Sequence, residues 1–386
     1  MTQPYKGATT AQFYVVETTT GVTPTSPSWS PLRNTGGFPA VTRDSLISNE
    51  IGQGRETNSI RVGYEQISGE YAIELSQASQ DELLACAMTA EWVAGDTIAA
   101  IDVTVTASTK AYTRASGSYI TDGVAVGDLA SFRGLTGKNS QPAFVTAVSA
   151  LEVILGGAVG LTDEVETTTD LITGDKLETG NLCKSVSILT WFKGKCGTPD
   201  SYVITRGVEF SGFSIEQAVN AMVTGSFPFI GISQETLTGL PAGSTFNIDF
   251  DARPFASVDV SAFDGDAALE LIDTFTITND NTASAQFELG KRAVSYVERG
   301  RATNTFSLSG KLYDMVMVDK FLAETEVNIS SILSGFSGAM SFTLNNSTLT
   351  SATPAIDGAE SVTLAIEGQA TGDANSSSIT IQRISY

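Results

Sequence analysis

Apolar residues along this chain fall into one pattern that occurs twice. Ile73 and Leu75 alternate with polar neighbours as in a strand, and Leu83, Leu84, Ala87 and Met88 then recur at helical spacing. Phe306 and Leu308 alternate in the same way before Met317, Val318, Phe321 and Leu322. The strand positions lie 233 residues apart (73 to 306) and the helical ones 234 (83 to 317), so a unit of domain size is predicted to be repeated. Alternation marks a half-buried strand and helical spacing an amphipathic helix, so each copy is expected to run from a strand into one short helix. Ser79 with Glu82 predicts a capping box at the start of the first helix.

The rest of the chain reads as strands and turns. Residues 12–18 are β-prone, and Gly21, Pro24, Pro27 and Pro31 then make an irregular arm with Trp29 and Leu32 as anchors. Residues 38–51 look extended, 52–58 form a polar connection, and strands through Tyr64 and from Tyr71 to Leu75 complete a hairpin. From 97 to 180 the texture changes to short strands, expected at 103–105, 118–120, 129–132, 144–148 and 151–155, between Gly117, Gly123, Gly127, Gly134 and Gly137. This suits an inserted small barrel or sandwich. Its trailing Asp163, Glu164, Glu166, Asp170, Asp175 and Glu178 read as a solvated acidic connection rather than a metal site. Strands resume at 185–192 and 202–215, and Gly225, Ser226, Phe227, Pro228 and Phe229 close the first unit. In the second unit, strands are expected at 247–259 and 271–278, Phe342 and Leu344 repeat Phe213 and Ile215, and Val362, Leu364 and Ile366 echo Phe227 and Phe229.

The expected fold is all-β with short flanking helices, built from two tandem β-sandwich or barrel-forming domains and an inserted small β module. The first domain takes residues 1–96 with 181–235, including an arm over 1–36, and the insert takes 97–180. A linker at 236–245 leads to the second domain at 246–386.

Composition fits a chain of 386 residues that buries real cores, with 41% hydrophobic and 17% charged residues. The charge balance is less ordinary, because 43 acidic against 22 basic residues leave −21 with no histidine. Such a surface repels nucleic acid, since phosphate binding needs Lys and Arg to release counterions. Residues 1–24 show no basic start followed by an apolar core, so no secretory signal is expected, and no long apolar run calls for membrane insertion. Cys86, Cys183 and Cys196 form no Cys-x-x-Cys pair, so neither a disulfide framework nor a zinc site is expected.

A search for catalytic chemistry ends without a site. The absence of histidine removes Ser-His-Asp and Cys-His arrangements and every His metal ligand. Paired carboxylates remain, with Asp249 and Asp251 or Asp264 and Asp266 the nearest candidates for glycoside hydrolysis. Two such pairs are expected by chance in an acidic β protein. Gly335, Phe336, Ser337, Gly338 lacks the spacing of a nucleophile elbow, Gly52, Gln53, Gly54 lacks the third glycine of a dinucleotide loop, and Asp264, Gly265, Asp266 falls short of an EF-hand. No enzyme activity, catalytic residue, metal or cofactor is expected. A β-modular decoration protein or adhesin is the alternative, with Tyr112, Tyr119 and Phe132 of the insert available to a partner, although core packing suits those aromatics better.

In the order of its pieces the chain resembles the tail tube proteins of long, non-contractile-tailed bacteriophages. The pieces are Tyr14, Glu17, Thr18, Gly21, Thr23 and Pro24; Trp29, Leu32, Arg33, Thr35 and Gly36; Ser48, Asn49 and Glu50 with Arg55; and Gly69 with Ile73, Glu74, Leu75 and Ser76. Asp81, Leu83 and Leu84 in the helix, Gly127 and Asp128 after Gly123 in the insert, and Gly225, Ser226, Phe227 and Phe229 complete the likeness, which covers most of residues 12–231. The resemblance implies a two-sheet fold with a flanking helix, strands joined across subunits around a central channel, and rings stacked into a tail. A duplicated chain would then make a ring from three copies rather than six. It also implies the partners: further copies of itself, a tail-tip or baseplate initiator, a tape measure protein, a tail terminator, and phage DNA passing without specific binding. Assembly would occur in the host cytoplasm. Candidate lumen-facing carboxylates are Glu50, Glu56, Glu65, Glu70 and Glu74 in the first hairpin region and Asp280, Glu288 and Glu298 in the second, with Arg55, Arg61, Lys291, Arg292, Arg299 and Arg301 nearby. Tyr14, Trp29, Leu32 and Arg33 of the arm are the candidate contacts between rings. The insert is expected to decorate the exterior.

Overall fold

The computed structural model describes residues 4–50, 59–248, 252–356, 358, 361–373 and 376–385. Strands dominate, and the helices are few and short. The two copies of the repeated pattern have the same strand connectivity. In the first, Ile60–Glu74 pairs with Thr224–Gly231, which pairs with Gly212–Ala218. In the second, Thr303–Lys311 pairs with Thr363–Ala370, which pairs with the latter part of Gly338–Ala355. All of these pairs are antiparallel.

Each unit has a second layer. Thr10–Val16, Val186–Phe192, Ser201–Phe210 and Ser233–Leu237 pair in that order in the first unit. Val260–Asp264, Val327–Ser334, the first part of Gly338–Ala355, and Ile379–Ser385 do so in the second. One strand in each unit passes from layer to layer. The pattern over 202–215 predicts a single strand, but it breaks at Ser211 into Ser201–Phe210 and Gly212–Ala218. Gly338–Ala355 crosses without a break, with Asn346 in the left-handed region (φ 46°). This crossing corrects the expected echo: Phe342 and Leu344 lie in the layer facing Ile381 and Ile379, whereas the residue matching Ile215 is Leu349. The match to Phe227 is Ala370 rather than an aromatic.

One hydrophobic core runs through both units. Ile73, Phe227 and Ile215 from the first pack in the same cluster as Phe275, Phe306 and Phe342 from the second. Burial of apolar surface is the main favourable term in folding, so the repeats are stabilised as one body rather than as two beads.

The helices are not equivalent. Asp81–Met88 is buried along its whole length except Glu82, because the chain returning from the insert and the turn after Ile272–Asp280 close over it. Met88 O accepts from Gly180 N–H at 3.0 Å, and Ala87 O accepts from Asn281 Nδ2 at 2.6 Å. Val316–Leu322 lacks that cover: Met317 is buried, Val318 and Phe321 are half-buried, and Leu322 is 72% exposed. The expected capping box is absent. Gln80 is the N-cap residue, its Oε1 accepting from Ser76 N–H at 3.0 Å, while Ser79 Oγ accepts from Arg33 and Glu82 pairs with Lys184 at 2.9 Å.

Residues 97–173 form a closed six-stranded barrel. Thr97–Thr106, Ala111–Arg114, Leu129–Arg133, Ala143–Val148, Glu152–Gly156 and Glu164–Thr173 are its staves. Residues 118–120, read as a strand, are instead a turn that buries Tyr119 against Phe132 at 6.4 Å, with Tyr112 stacked on Phe132 at 4.4 Å. The acidic stretch is a second correction. Glu164–Thr173 is the stave that closes the barrel, with Thr169, Leu171 and Thr173 turned inward. Its carboxylates accept backbone donors: Asp163 from Ala107, Glu164 from Thr136 and Asp170 from Ala100. Asp175–Glu178 leaves the barrel and pairs with Ile379–Ser385.

The barrel's apolar contact among the described residues is with the second unit. Leu129, Phe144 and Ile172 meet Phe263, Ile332 and Ile384 on the face of the second unit's outer layer turned away from the main core. Gln382 clamps the contact, accepting from Leu129 N–H at 2.7 Å and donating to Gly127 O at 2.8 Å.

Candidate functional site: an open sheet with two free edges

The inner layers of the two units are one sheet. Gly212–Ala218, the last inner strand of the first unit, pairs antiparallel with Ile272–Asp280 of the second, Ser214 opposite Thr278 and Ile215 opposite Ile277. The resulting order is Ala40–Ile47, Ile60–Glu74, Thr224–Gly231, Gly212–Ala218, Ile272–Asp280, Thr303–Lys311, Thr363–Ala370 and residues 347–355. Close strand approach explains two glycines. A Cβ at Gly225 would lie 2.7 Å from Ile215, and one at Gly368 would lie 2.5 Å from the Phe306 ring.

Because side chains alternate, one face of this sheet lines the core and the other is open. Its open face carries Ser68, Glu70, Ala72 and Glu74 on one strand, Ser214 and Glu216 on another, and Thr274, Thr276, Thr278 and Asp280 on the next. Thr303, Thr305, Ser307 and Ser309 follow, then Glu367 and Gln369. Small hydroxyl side chains and carboxylates therefore cover it. Lys311, at one end, is ion-paired with Asp273 at 3.1 Å.

Of the expected lumen carboxylates, Glu70, Glu74 and Asp280 fall on this face. Glu65 is turned to Arg43, 2.7 Å away. Glu288 is exposed in a loop, and Lys291 at 2.7 Å holds its carboxyl below the usual range. Glu298 lies on a separate two-stranded ribbon, Ser284–Gln286 with Tyr296–Glu298, and Glu50 is exposed beyond the first hairpin. Glu56 lies outside the described residues, as do Asp249 and Asp251. Glu216 and Glu367 were missed, although alternation about Ile215 and Ile366 would have found both.

The arm residues are used within their own chain. Tyr14 and Leu32 belong to the main core, and Trp29 packs with Phe13, Leu189 and Ile204. Trp29 Nε1 donates to Ser244 Oγ at 3.1 Å, and Arg33 donates to Ser76 and Ser79 hydroxyls at 3.1 and 3.0 Å. These four side chains anchor the arm. Exposed apolar residues lie instead on the hairpin Ala40–Ile47 with Ile60–Glu74, where Leu46, Ile47, Ile60 and Val62 all face solvent. The hairpin leans on the second unit through Tyr64 and Phe287, whose rings are 4.6 Å apart, and through Glu65 N–H donating to Arg292 O at 2.9 Å.

Glu17 organises the start of the chain. Its buried carboxylate accepts from Gly21 N–H at 2.7 Å, Ser185 Oγ at 2.8 Å, Ser187 Oγ at 2.6 Å and Gly207 N–H at 2.9 Å. Between units, Glu209 and Arg299 form an ion pair of 2.8 Å, and burial, outweighing the arginine, pushes the Glu209 carboxyl above its ordinary value.

Asp264 is held by Lys320 while Asp266 is exposed, and among the described residues no His, Cys, Asp or Glu cluster could hold a metal ion. Among the same residues no helix is long and apolar enough to cross a membrane. A duplicated β body with a continuous open sheet, whose two end strands are each paired on one side only among the described residues, is the form of a structural subunit. The sequence matches the family of phage tail tube proteins over residues 7–370, and the chain belongs to that family. No curated protein matches it in sequence.

Proposed function

We propose that this protein is the tube subunit of a long, non-contractile phage tail, polymerising as stacked rings around an acidic channel through which the genome leaves the virion. The observation that carries this is the open sheet. A strand edge is an unpaired row of donors and acceptors, and sheets joined edge to edge into a closed barrel have none. The two units meet at Gly212–Ala218 with Ile272–Asp280, so one chain supplies two sixths of a wall and three chains close it. The open face suits a channel for DNA: its carboxylates repel phosphate, and its hydroxyl side chains carry no cation to bind it.

The exposed apolar hairpin is suited to contacts between rings. The barrel at 97–173 lies on the side of the outer layer turned away from the core, which would place it on the tube exterior. A tail-tip initiator, a tape measure protein, a terminator and assembly in the host cytoplasm follow from the same reading. Electron microscopy of the purified protein, or of virions containing it, tests the proposal. Hollow tubes with three chains per ring are expected. Rings of six full-length chains would overturn the stoichiometry, and a monomer that never polymerises with its tail tip would overturn the function.

A further inference from the structure

The junction between the two units is a template for a contact that one chain leaves unmade, and the counterpart of each side can be located residue by residue. Ile73 corresponds to Phe306, and their neighbours on the next strand are Gly225 and Gly368. The residues opposite those glycines are Ile215 and Leu349. Thr348 therefore stands where Ser214 stands in the first unit. On the other side, Thr278 faces Thr305, whose counterpart is Ala72, and Ala72 is bridged to Gly36. Gly36 therefore stands where Thr278 stands in the second unit. The register is continuous, since Gly36 faces Ala72, Ala40 faces Ser68 and Arg43 faces Glu65 along one strand.

Both counterparts are edges. Among the described residues, 348–355 are paired on one side only, with Thr363–Ala370, since Ser347 also faces Val327, and as strand 36–43 pairs only with Ile60–Glu74, its Gly37 and Pro39 carbonyls accepting from the Gln12 and Gln234 side chains. They lie at opposite ends of the sheet, so the partner of each edge is another copy of the chain. We infer that residues 348–352 of one copy pair antiparallel with residues 33–36 of the next, with Thr348 opposite Gly36, repeating the internal junction between copies.

The local chemistry agrees. The Ser214 and Thr278 hydroxyls meet at 3.4 Å across the internal junction, and Thr348 and Gly36 are both exposed. Space is open where a Cβ on Gly36 would lie. The internal pairing ends at Ala218, and Pro354, which has no N–H to donate, comes shortly after the matching position. A bulge between Leu349 and Ser351 advances the register by one residue beyond Thr350. Each copy offers one edge of each kind, so the contact is heterologous and closes only as a ring.

The inference rests on the tube reading, and its test separates the two. In a background with the exposed Cys183 and Cys196 changed to serine, Gly36→Cys is combined with Thr348→Cys, and a second chain combines Gly36→Cys with Thr353→Cys. Buried Cys86, its thiol pushed up to about 12 by desolvation, stays inert. After assembly, mild oxidation or a short bis-maleimide should convert most of the first chain into covalent species that stop at three copies, with at least a fivefold lower yield for the second. Tubes visible by electron microscopy without cross-linking of the first pair, or with stronger cross-linking of the second, would overturn the register and leave the tube reading standing. Should the cysteine chains fail to fold, amide exchange on the wild-type protein decides: residues 33–36 and 348–352 should both gain protection between monomer and tube, and unchanged exchange in either segment rejects the pairing.

Discussion

Glu17 shows how a single buried charge is tolerated when every lone pair is used. Four donors from three separate stretches of chain converge on it, so it ties the arm to Val186–Phe192 and Ser201–Phe210. Its replacement leaves buried N–H and O–H groups without an acceptor. Glu17→Ala is expected to lower the unfolding free energy by about 3 kcal/mol, read from urea denaturation of the unassembled protein. A change of less than about 0.5 kcal/mol would show the network to be dispensable. In the sequence Glu17 was visible only as one piece of a family resemblance, because its partners are Ser185, Ser187 and Gly207, far along the chain. The open-face carboxylates were more legible. Alternation places Glu70 and Glu74 opposite Tyr71 and Ile73, and it also places Glu216 and Glu367, where the acidic residues were simply not followed through the strand.

The two helices share a pattern but not a setting. Leu84 is fully buried in the main core, whereas Leu322 is open. Leu84→Ala is expected to cost about 3 kcal/mol, while Leu322→Lys should change stability by no more than about 0.5 kcal/mol. Thermal melts of the two variants side by side check this, and equal losses would mean that Leu322 is covered in solution. Helical spacing predicts which residues share a face, but not what lies against that face. The strand pattern has the same limit. Residues 164–173 read as a polar connection because Glu164, Glu166 and Asp170 break any apolar run, and closure of the barrel is what turns Thr169, Leu171 and Thr173 inward.

At the scale of the whole molecule, the units are joined by a buried ion pair as well as by apolar contact. Because the Glu209 carboxyl is held above its ordinary 4.5 by burial, the stability it contributes is fully present below that value. It is lost as pH rises through the raised value. Against Glu209→Gln, which keeps an acceptor for Arg299 without the charge, the wild-type protein should lose stability as pH is raised from about 4.5 towards neutrality. Urea midpoints across that interval provide the check, and parallel curves would contradict it. The barrel offers a separate test, since its two ends meet: Thr173 N–H donates to Asp96 O at 2.9 Å, and Asp96 N–H donates to Thr173 Oγ1 at 2.8 Å. Excision of residues 97–173 with a short glycine bridge should leave tube formation intact, as scored by electron microscopy. It should also lower the melting temperature, because Phe263, Ile332 and Ile384 lose their cover. Loss of polymerisation would instead give the barrel a part in assembly.

The sequence by itself determined the all-β class and the acidic balance and raised the expectation of a duplication with an extra module, because periodicity and composition are local and survive in one dimension. Only the tertiary structure decided that the two copies share one core and one sheet, that the barrel packs on the second unit, and that the arm's aromatic anchors serve their own chain. Those are pairings between residues far apart in sequence, and strand order and register arise from contacts that no local pattern encodes. The repeated strand and helix therefore signalled two units, while their junction, visible only after folding, supplied the geometry for the proposed contact between copies.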